Sequence, residues 1–260
     1  MKRYLKIWWL LTVRTSQVAF YSRFGAFIFI FGKILRFAFF LLFLILLESK
    51  TKVIGGFTLP QIIFFFATFN LIDTLGQFFL REVYRFRSYV ISGYFDYILT
   101  KPISSLFRSL LGGSDVLDLF LLFISLLFII FTFGKIAPAS IFNIILYISF
   151  IFNGLLIALS FHTFVLSIGI LTTEVDNTIM LYRDLTQMGR IPIDLYKEPV
   201  RGFLTFIIPV GVMMTFPAKA IMGFLSFTLI SASFLIGISL FFLSIYFWRY
   251  SLRYYSSASS

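Results

Sequence analysis

Long apolar runs separated by short polar or basic stretches dominate the sequence. The runs cover residues 25–47, 58–80, 116–134, 139–165 and 226–248. Because a helix rises about 1.5 Å per residue, each run can cross about 30 Å of hydrocarbon, and the run at 139–165 is expected to tilt. The chain is 60% hydrophobic and 13% charged, with a mean hydropathy of +0.98. A soluble domain carries about twice that charged fraction. The pattern therefore predicts an all-α polytopic membrane protein.

Basic residues predict how the spans are oriented. They cluster before the first run, between the second and third runs, and after the last run, and these clusters hold 12 of the 22 Lys and Arg residues. The loops at 48–57 and 135–138 contain only Lys50, Lys52 and Lys135. The positive-inside rule places both termini and segment 81–115 in the cytoplasm, which requires an even number of crossings. The positive-inside distribution thus accounts for the net charge of +11. Anionic membrane lipids are the expected partners of these basic residues, and nucleic acid is not expected.

One further crossing, the fifth along the chain, must lie between residues 166 and 225. Hydropathy favours 202–223, which Pro209 and Pro217 interrupt as a broken helix. In the alternative, 174–192 crosses and 202–219 folds back as a re-entrant pair on the outer side. That crossing is expensive in lipid unless it is buried, because it contains Glu174, Asp176, Arg183, Asp184 and Arg190. On hydropathy alone, 202–223 is the preferred crossing.

The complete plan has six transmembrane helices with cytoplasmic N- and C-termini. Residues 1–24 form a basic amphipathic segment that predicts an interfacial helix, with Trp8 and Trp9 at the headgroup level. Residues 25–80 hold the first two spans, 81–115 a cytoplasmic segment, 116–248 the remaining four spans, and 249–260 a cytoplasmic tail.

The cytoplasmic segment carries a short amphipathic helix. Over residues 88–99, Val90, Tyr94, Tyr97 and Ile98 fall along one helical face, and Pro102 ends the helix near residue 100. Such a helix suits docking into a groove on a soluble partner. It equally suits an interfacial helix that rests on lipid, and the pattern alone does not separate these two functions.

A resemblance to a known family adds to this picture. The stretch Gly93-Tyr-Phe-Asp96-Tyr97-Ile-Leu99-Thr-Lys101-Pro102-Ile103 resembles the cytoplasmic loop of type-2 ABC exporter permeases. In that family a glycine, an acidic residue, a leucine and a Pro-Ile pair recur between the second and third spans. The N-terminal amphipathic helix, the six spans and the Pro-interrupted element also match that family's plan. Segment 203–223 is similar to a bacterial subgroup with unassigned substrates.

The resemblance implies a permease subunit in the bacterial cytoplasmic (inner) membrane. It would pair with itself or with a sister permease, and with two cytoplasmic ATPase subunits. The coupling helix would contact the ATPase through Gly93, Asp96, Tyr97, Leu99, Lys101 and Pro102. The chain has no G-x-x-x-x-G-K-[ST] motif, since Gly112-Gly113-Ser114 lacks the lysine. ATP and Mg²⁺ would therefore be bound by the partner ATPase, and this chain would be neither an enzyme nor a cofactor-binding protein.

Ionisable residues inside the spans suggest a second site. Lys33 and Arg36 lie in the first span and Asp73 in the second, and Lys33 and Asp73 lie at nearly equal depths from the cytoplasmic end. Lys33 and Asp73 could therefore form an ion pair between helices, or Lys33 could snorkel to the headgroups. Alternatively, the cations line a translocation path and attract an anionic headgroup. The carboxylates of Asp115 and Asp118, at the start of the third span, are interpreted as helix caps.

Metal and catalytic chemistry have little support in the sequence. There is no cysteine, and the single histidine, His162, is expected to hydrogen-bond between helices rather than to bind a metal. The leading hypothesis is an ABC exporter permease for a lipid-like, hydrophobic or drug-like substrate. The alternatives are a non-transporting scaffold or lipid-binding module, and an ion-coupled secondary carrier. A carrier usually shows paired broken helices, whereas only one Pro-broken element is visible here.

Overall fold

The computed structural model describes residues 2–51, 55–136 and 140–257, and these residues are almost entirely helical. Its helices are α1 (Lys2–Tyr21), α2 (Arg23–Thr51), α3 (Leu59–Leu80), α4 (Phe86–Ile91), α5 (Tyr94–Leu99), α6 (Ser105–Leu110), α7 (Leu119–Ile136), α8 (Ile141–Thr172), α9 (Val175–Gln187), α10 (Val200–Gly202), α11 (Phe216–Ile221) and α12 (Phe227–Arg253). Lys52 and the first residue of the predicted run 139–165 lie outside the described residues, as do residues 1 and 258–260 of the predicted terminal segments.

The five predicted apolar runs are confirmed as the long helices α2, α3, α7, α8 and α12, each long and apolar enough to cross a membrane. Local signals fix their starts: a capping box between Thr58 and Gln61 begins α3, and the Ser140 hydroxyl accepts a hydrogen bond from the Asn143 backbone at the start of α8. Helix α8 has 32 residues, which is about 48 Å. It therefore extends beyond the hydrocarbon, past its predicted end at residue 165.

The chain between α8 and α12 passes from one end of the bundle to the other. We call the end that carries residues 81–115 the basic end, and the end that carries residues 55–57 the opposite end. At the basic end, Arg87 forms an ion pair with Asp176 at 3.0 Å. At the opposite end, Leu195 packs directly against Gly55. Segment 175–195, formed by α9 and two short 3₁₀ turns, therefore traverses the bundle.

A bent helix pair follows this passage. Segments Val200–Ile207 and Gly211–Ile221 meet at 79°, and both are partly π-helical. By length and composition alone the pair would count as a sixth span. However, its second segment, Gly211–Ile221, returns to the opposite end. There Lys219 pairs with Asp194 at 2.9 Å, and the Ile221 carbonyl accepts a hydrogen bond from Asn143. The pair is thus re-entrant.

This arrangement corrects the preference for 202–223 as the crossing and supports the alternative, in which 174–192 crosses. Hydropathy favoured 202–223 because its second segment, Gly211–Ile221, is apolar, but that segment is buried against α3 and α8. On α9, Arg183 lines a cavity between the helices, whereas Asp184 is exposed.

Pro209 lies at the bend, as expected. Pro217 does not break the helix: it lies inside the segment Gly211–Ile221, where the π-helical residues 211–215 pass into α11.

The predicted single helix over 88–99 is instead two helices. Gly93 separates α4 from α5 with φ of 72°, a conformation that residues with a Cβ rarely adopt. The break also changes which face is buried. The four residues predicted to share one face are therefore divided: Val90 and Ile98 are buried, together with Phe95, whereas Tyr94 and Tyr97 are 41% and 52% exposed.

Helix α1 lies against the basic end rather than resting only on lipid. The Trp8 indole N–H donates to the Ser114 hydroxyl at 3.1 Å, while the Tyr4 and Phe107 rings meet edge to face at 4.8 Å. Trp9 remains 61% exposed beside an apolar stripe. The headgroup position stays a prediction for both tryptophans, and α1 ends at Tyr21 rather than at residue 24.

Candidate functional site

The α4–α5 segment (residues 86–103) presents an exposed, partly apolar face at the basic end. Tyr97 and Leu99 are 52% and 41% exposed, and Ile91 and Tyr94 extend the same surface. The Lys101 ammonium lies 3.7 Å from the centroid of the Tyr97 ring, which orders both side chains. Pro102, also exposed, follows the end of α5. Four of the six predicted coupling residues therefore lie on this face: Tyr97, Leu99, Lys101 and Pro102.

The inner face of the segment is anchored by Phe95. This ring is fully buried and meets Phe86 at 5.0 Å and Tyr255 at 5.1 Å, both edge to face, with Trp248 at 6.3 Å. Edge-to-face pairs contribute about 0.5–1.5 kcal/mol each beyond the area that they bury. Because Trp248 belongs to α12, the cluster ties the exposed face to the last span.

Asp96 holds the C-terminal tail. Its two carboxylate oxygens accept hydrogen bonds from the Tyr255 hydroxyl at 2.8 Å and the Ser257 hydroxyl at 2.6 Å. Burial and the hydrogen bond to this carboxylate raise the pKa of Tyr255 to about 12, so the phenol remains a donor at neutral pH. Within this chain, Asp96 thus positions the tail and Gly93 forms the turn, and neither extends the exposed face.

Glu82 joins α6 to the end of α3. Its buried carboxylate accepts hydrogen bonds from Arg108 at 2.6 Å, from the Tyr89 hydroxyl at 2.6 Å and from Arg85 at 3.1 Å. A buried carboxylate requires such partners because desolvation of an unpaired charge costs several kcal/mol. This residue was missed in the sequence, although an acid beside Arg81 and Arg85 at the end of a predicted span was a usable signal.

The intramembrane charges are paired differently from the expectation. Lys33 pairs with Asp118, which is fully buried at the start of α7, and Arg81 pairs with Asp115 at 2.8 Å. Asp73 instead accepts a hydrogen bond from Gln77 at 2.9 Å. The predicted pair between Lys33 and Asp73 is therefore wrong, because α7 brings a closer carboxylate to α2.

The remaining polar predictions have mixed outcomes. Asp115 is confirmed as a cap, accepting a hydrogen bond from the Leu117 backbone at 3.1 Å, whereas Asp118 serves in the ion pair. His162 is buried, but it bonds to the Ala158 carbonyl of its own helix at 2.8 Å and packs edge-on against Tyr182. The expected hydrogen bond of His162 between helices is thus wrong.

Lys33, Arg36 and Asp73 nevertheless share one cavity, as their similar depths suggested. The cavity lies among α2, α3 and α9, has a volume of about 480 Å³, and is also lined by Arg81, Arg183 and Tyr84. The sequence placed the first three residues correctly, but Arg183 comes from the segment whose crossing was not preferred. The basic end thus combines an exposed helical face with a charged cavity inside the bundle.

These features define a multi-pass helical membrane protein in which two short helices are anchored to the ends of the spans. The chain matches the family model described as ABC-2 family transporter protein over residues 34–259, and it belongs to that family. The chain is therefore a membrane component of the ABC transporter class, whose members generally pair with ATPase subunits. The match begins inside α2 and leaves α1 outside. No curated protein and no solved structure matches the chain.

Proposed function

We propose that this chain is the permease subunit of an ATP-driven exporter in the bacterial cytoplasmic membrane, with its basic end in the cytoplasm. Cytoplasmic ATPase subunits dock on the exposed face of the α4–α5 segment. The observation that carries the proposal is the division of this segment into an exposed face around Tyr97 and Leu99 and an inner face fixed by Phe95.

This division suits transmission of force. A docked ATPase contacts the outer side chains, while the Phe95 ring delivers any displacement to Trp248 and hence to α12. Packed aromatic clusters move as rigid units because protein interiors are close-packed. A second copy of the chain or a sister permease completes the path for an amphiphilic substrate. ATP and Mg²⁺ are bound on the ATPase, so hydrolysis takes place outside this chain.

Co-purification tests the docking surface. The tagged full chain is isolated from its native membrane in mild detergent, and the bound subunit is identified by its P-loop peptide and by vanadate-sensitive ATP hydrolysis. Leu99→Ala removes an exposed side chain from the face, whereas Leu127→Ala makes the same truncation at a 49% exposed position on α7. Loss of a central interface side chain costs about 2 kcal/mol or more, so the affinity for the ATPase should fall roughly thirtyfold for Leu99→Ala alone, and less ATPase should be recovered with it.

Two outcomes contradict the proposal. Equal ATPase retention by Leu99→Ala and Leu127→Ala would show that the α4–α5 face is not the docking surface. Absence of any ATPase from the wild-type preparation would favour a scaffold or lipid-binding module instead.

A further inference from the structure

The charged cavity at the basic end has more positive than negative charge in its walls. Four cations line it, namely Lys33, Arg36, Arg81 and Arg183, against the single carboxylate of Asp73. Ile28, Phe29 and Leu121 provide apolar surface beside these charges. A cavity of about 480 Å³ is within the usual range for small-molecule sites.

Two of these cations are already neutralised. Lys33 pairs with Asp118, and Arg81 pairs with Asp115 at 2.8 Å. In the described part of the chain, Arg36 and Arg183 have no carboxylate within 4.0 Å. The guanidinium of Arg183 lies 5.9 Å from the centroid of the Tyr84 ring.

Asp73, the one carboxylate among the described residues that line the cavity, does not cancel this excess. Asp73 is hydrogen-bonded to Gln77 at 2.9 Å and is a single negative charge facing two unpaired guanidinium groups. The unpaired positive charge therefore comes from Arg36 on α2 and Arg183 on α9, two separate elements whose side chains line the same space.

The depth of the cavity makes this excess costly without a ligand. Asp73 precedes Arg81 by eight residues, so the cavity extends about 12 Å into the span from the end of α3. Charged groups inside a membrane are expensive and usually face a partner or a substrate path. Snorkelling explains a cation at a helix end, but it does not explain two guanidinium groups from different helices that line one cavity.

We propose that this cavity binds the phosphate-type headgroup of an anionic membrane amphiphile, with Arg36 and Arg183 as its ligands. A guanidinium group presents paired N–H donors that match phosphate oxygens, which an ammonium does not. Phe29 and Leu121 contact the apolar part next to the headgroup. The inference rests on the proposed function and gives that function a substrate class, an anionic amphiphile taken from the leaflet at the basic end.

Binding to nanodiscs tests the site. Full-length protein is reconstituted in phosphatidylcholine, and short-chain fluorescent phosphatidylglycerol is titrated into wild type and variants, with inorganic phosphate as a soluble competitor. Arg36→Gln and Arg183→Gln each remove one charge-assisted contact, so the affinity should fall about tenfold or more in each case. Arg36→Lys keeps the charge but loses the paired donors and should retain only part of the affinity.

Arg249→Gln is the matched control, because Arg249 is an exposed arginine on α12 with no ion pair among the described residues. A decrease for the two cavity variants with no decrease for this control supports the site. Competition by millimolar phosphate then identifies the phosphate group as the recognised part, while binding that phosphate cannot displace shows that recognition includes the lipid body. Equal affinity of all three glutamine variants overturns the inference.

The ATPase measurement separates this inference from the proposed function. If the cavity variants bind lipid like wild type while ATPase still co-purifies, the headgroup site is wrong and the permease proposal stands. If ATPase never co-purifies but the cavity variants lose lipid, the chain holds a lipid site without the exporter role.

Discussion

Replacing Phe95 by alanine should loosen the α4–α5 segment while leaving the spans intact. Phe95 is completely buried and is in contact with three aromatic rings, two of them at about 5 Å. Truncation of a buried phenylalanine to alanine costs about 3–5 kcal/mol through lost burial and the cavity left behind. Phe95→Leu keeps most of the apolar volume but loses the ring pairs, which costs about 1–3 kcal/mol in total.

Hydrogen exchange measures this loss of local stability residue by residue. If α5 opens locally, each 1.4 kcal/mol of destabilisation accelerates exchange about tenfold. Backbone amides of residues 94–99 should therefore exchange roughly a hundredfold or more faster in Phe95→Ala, and roughly fivefold to a hundredfold faster in Phe95→Leu. The amides in the first turns of α8, around Asn143, should be unaffected, because they lie at the opposite end.

Phe242→Ala is the control for Phe95→Ala, since it makes the same truncation at a 66% exposed position on α12. Trp248 provides a second measurement. The chain has only three tryptophans, so Trp8→Phe and Trp9→Phe leave Trp248 as the sole emitter, and its spectrum should shift to longer wavelength when Phe95 is removed. Exchange in Phe95→Ala within twofold of both wild type and Phe242→Ala would refute the anchoring role.

Three further predictions address the rest of the structure. Glu82→Gln leaves the buried guanidinium of Arg108 without its charge partner and should cost about 3–5 kcal/mol in thermal unfolding, whereas Glu198→Gln, which breaks an exposed pair, should change stability by no more than about 1 kcal/mol. Gly154→Ala places a Cβ 2.9 Å from the Met213 carbonyl and should cost about 1–3 kcal/mol, while Gly76→Ala meets nothing within 4 Å and should be neutral or stabilising. In this cysteine-free chain, Glu198→Cys should react with an impermeant maleimide from the same side as Thr58→Cys; reaction from the side that labels Lys101→Cys would contradict the re-entrant pair.

Apolar runs predicted the five long helices because a span must be continuous and lipid-facing, and those requirements are local in sequence. The fifth crossing was assigned to the wrong segment because its position depends on packing between distant parts of the chain. The apolar segment Gly211–Ile221 is enclosed by α3 and α8, whereas segment 174–192 lies along α8 with Arg183 in the charged cavity and Asp184 exposed. Enclosure by other helices is a tertiary property, and hydropathy cannot register it.

The site shows the same division between local and tertiary information. The motif around Gly93 pointed to the segment that carries the exposed face, and the turn at Gly93 follows from its own backbone conformation. The role of Asp96 was not accessible, because its partners Tyr255 and Ser257 lie about 160 residues away in sequence. Likewise, depth counting brought Lys33 and Asp73 into one cavity, but the choice of Asp118 as the partner of Lys33 depends on how α7 packs.

Helix α9 links the α4–α5 segment to the charged cavity, and the interaction energies indicate which contact transmits a displacement between them. Asp176 and Arg183 are seven residues apart, about two turns, so the same face of α9 reaches both α4 and the cavity. The ion pair between Arg87 and Asp176 is about half exposed on both sides, and such pairs contribute only about 0–1 kcal/mol. By contrast, Phe86 and Val175 are both fully buried and pack together on Gly169, and burial of such side chains contributes about 1.5–3 kcal/mol each. We therefore infer that a displacement of α4 reaches Arg183 through this apolar contact, with the ion pair as an accessory.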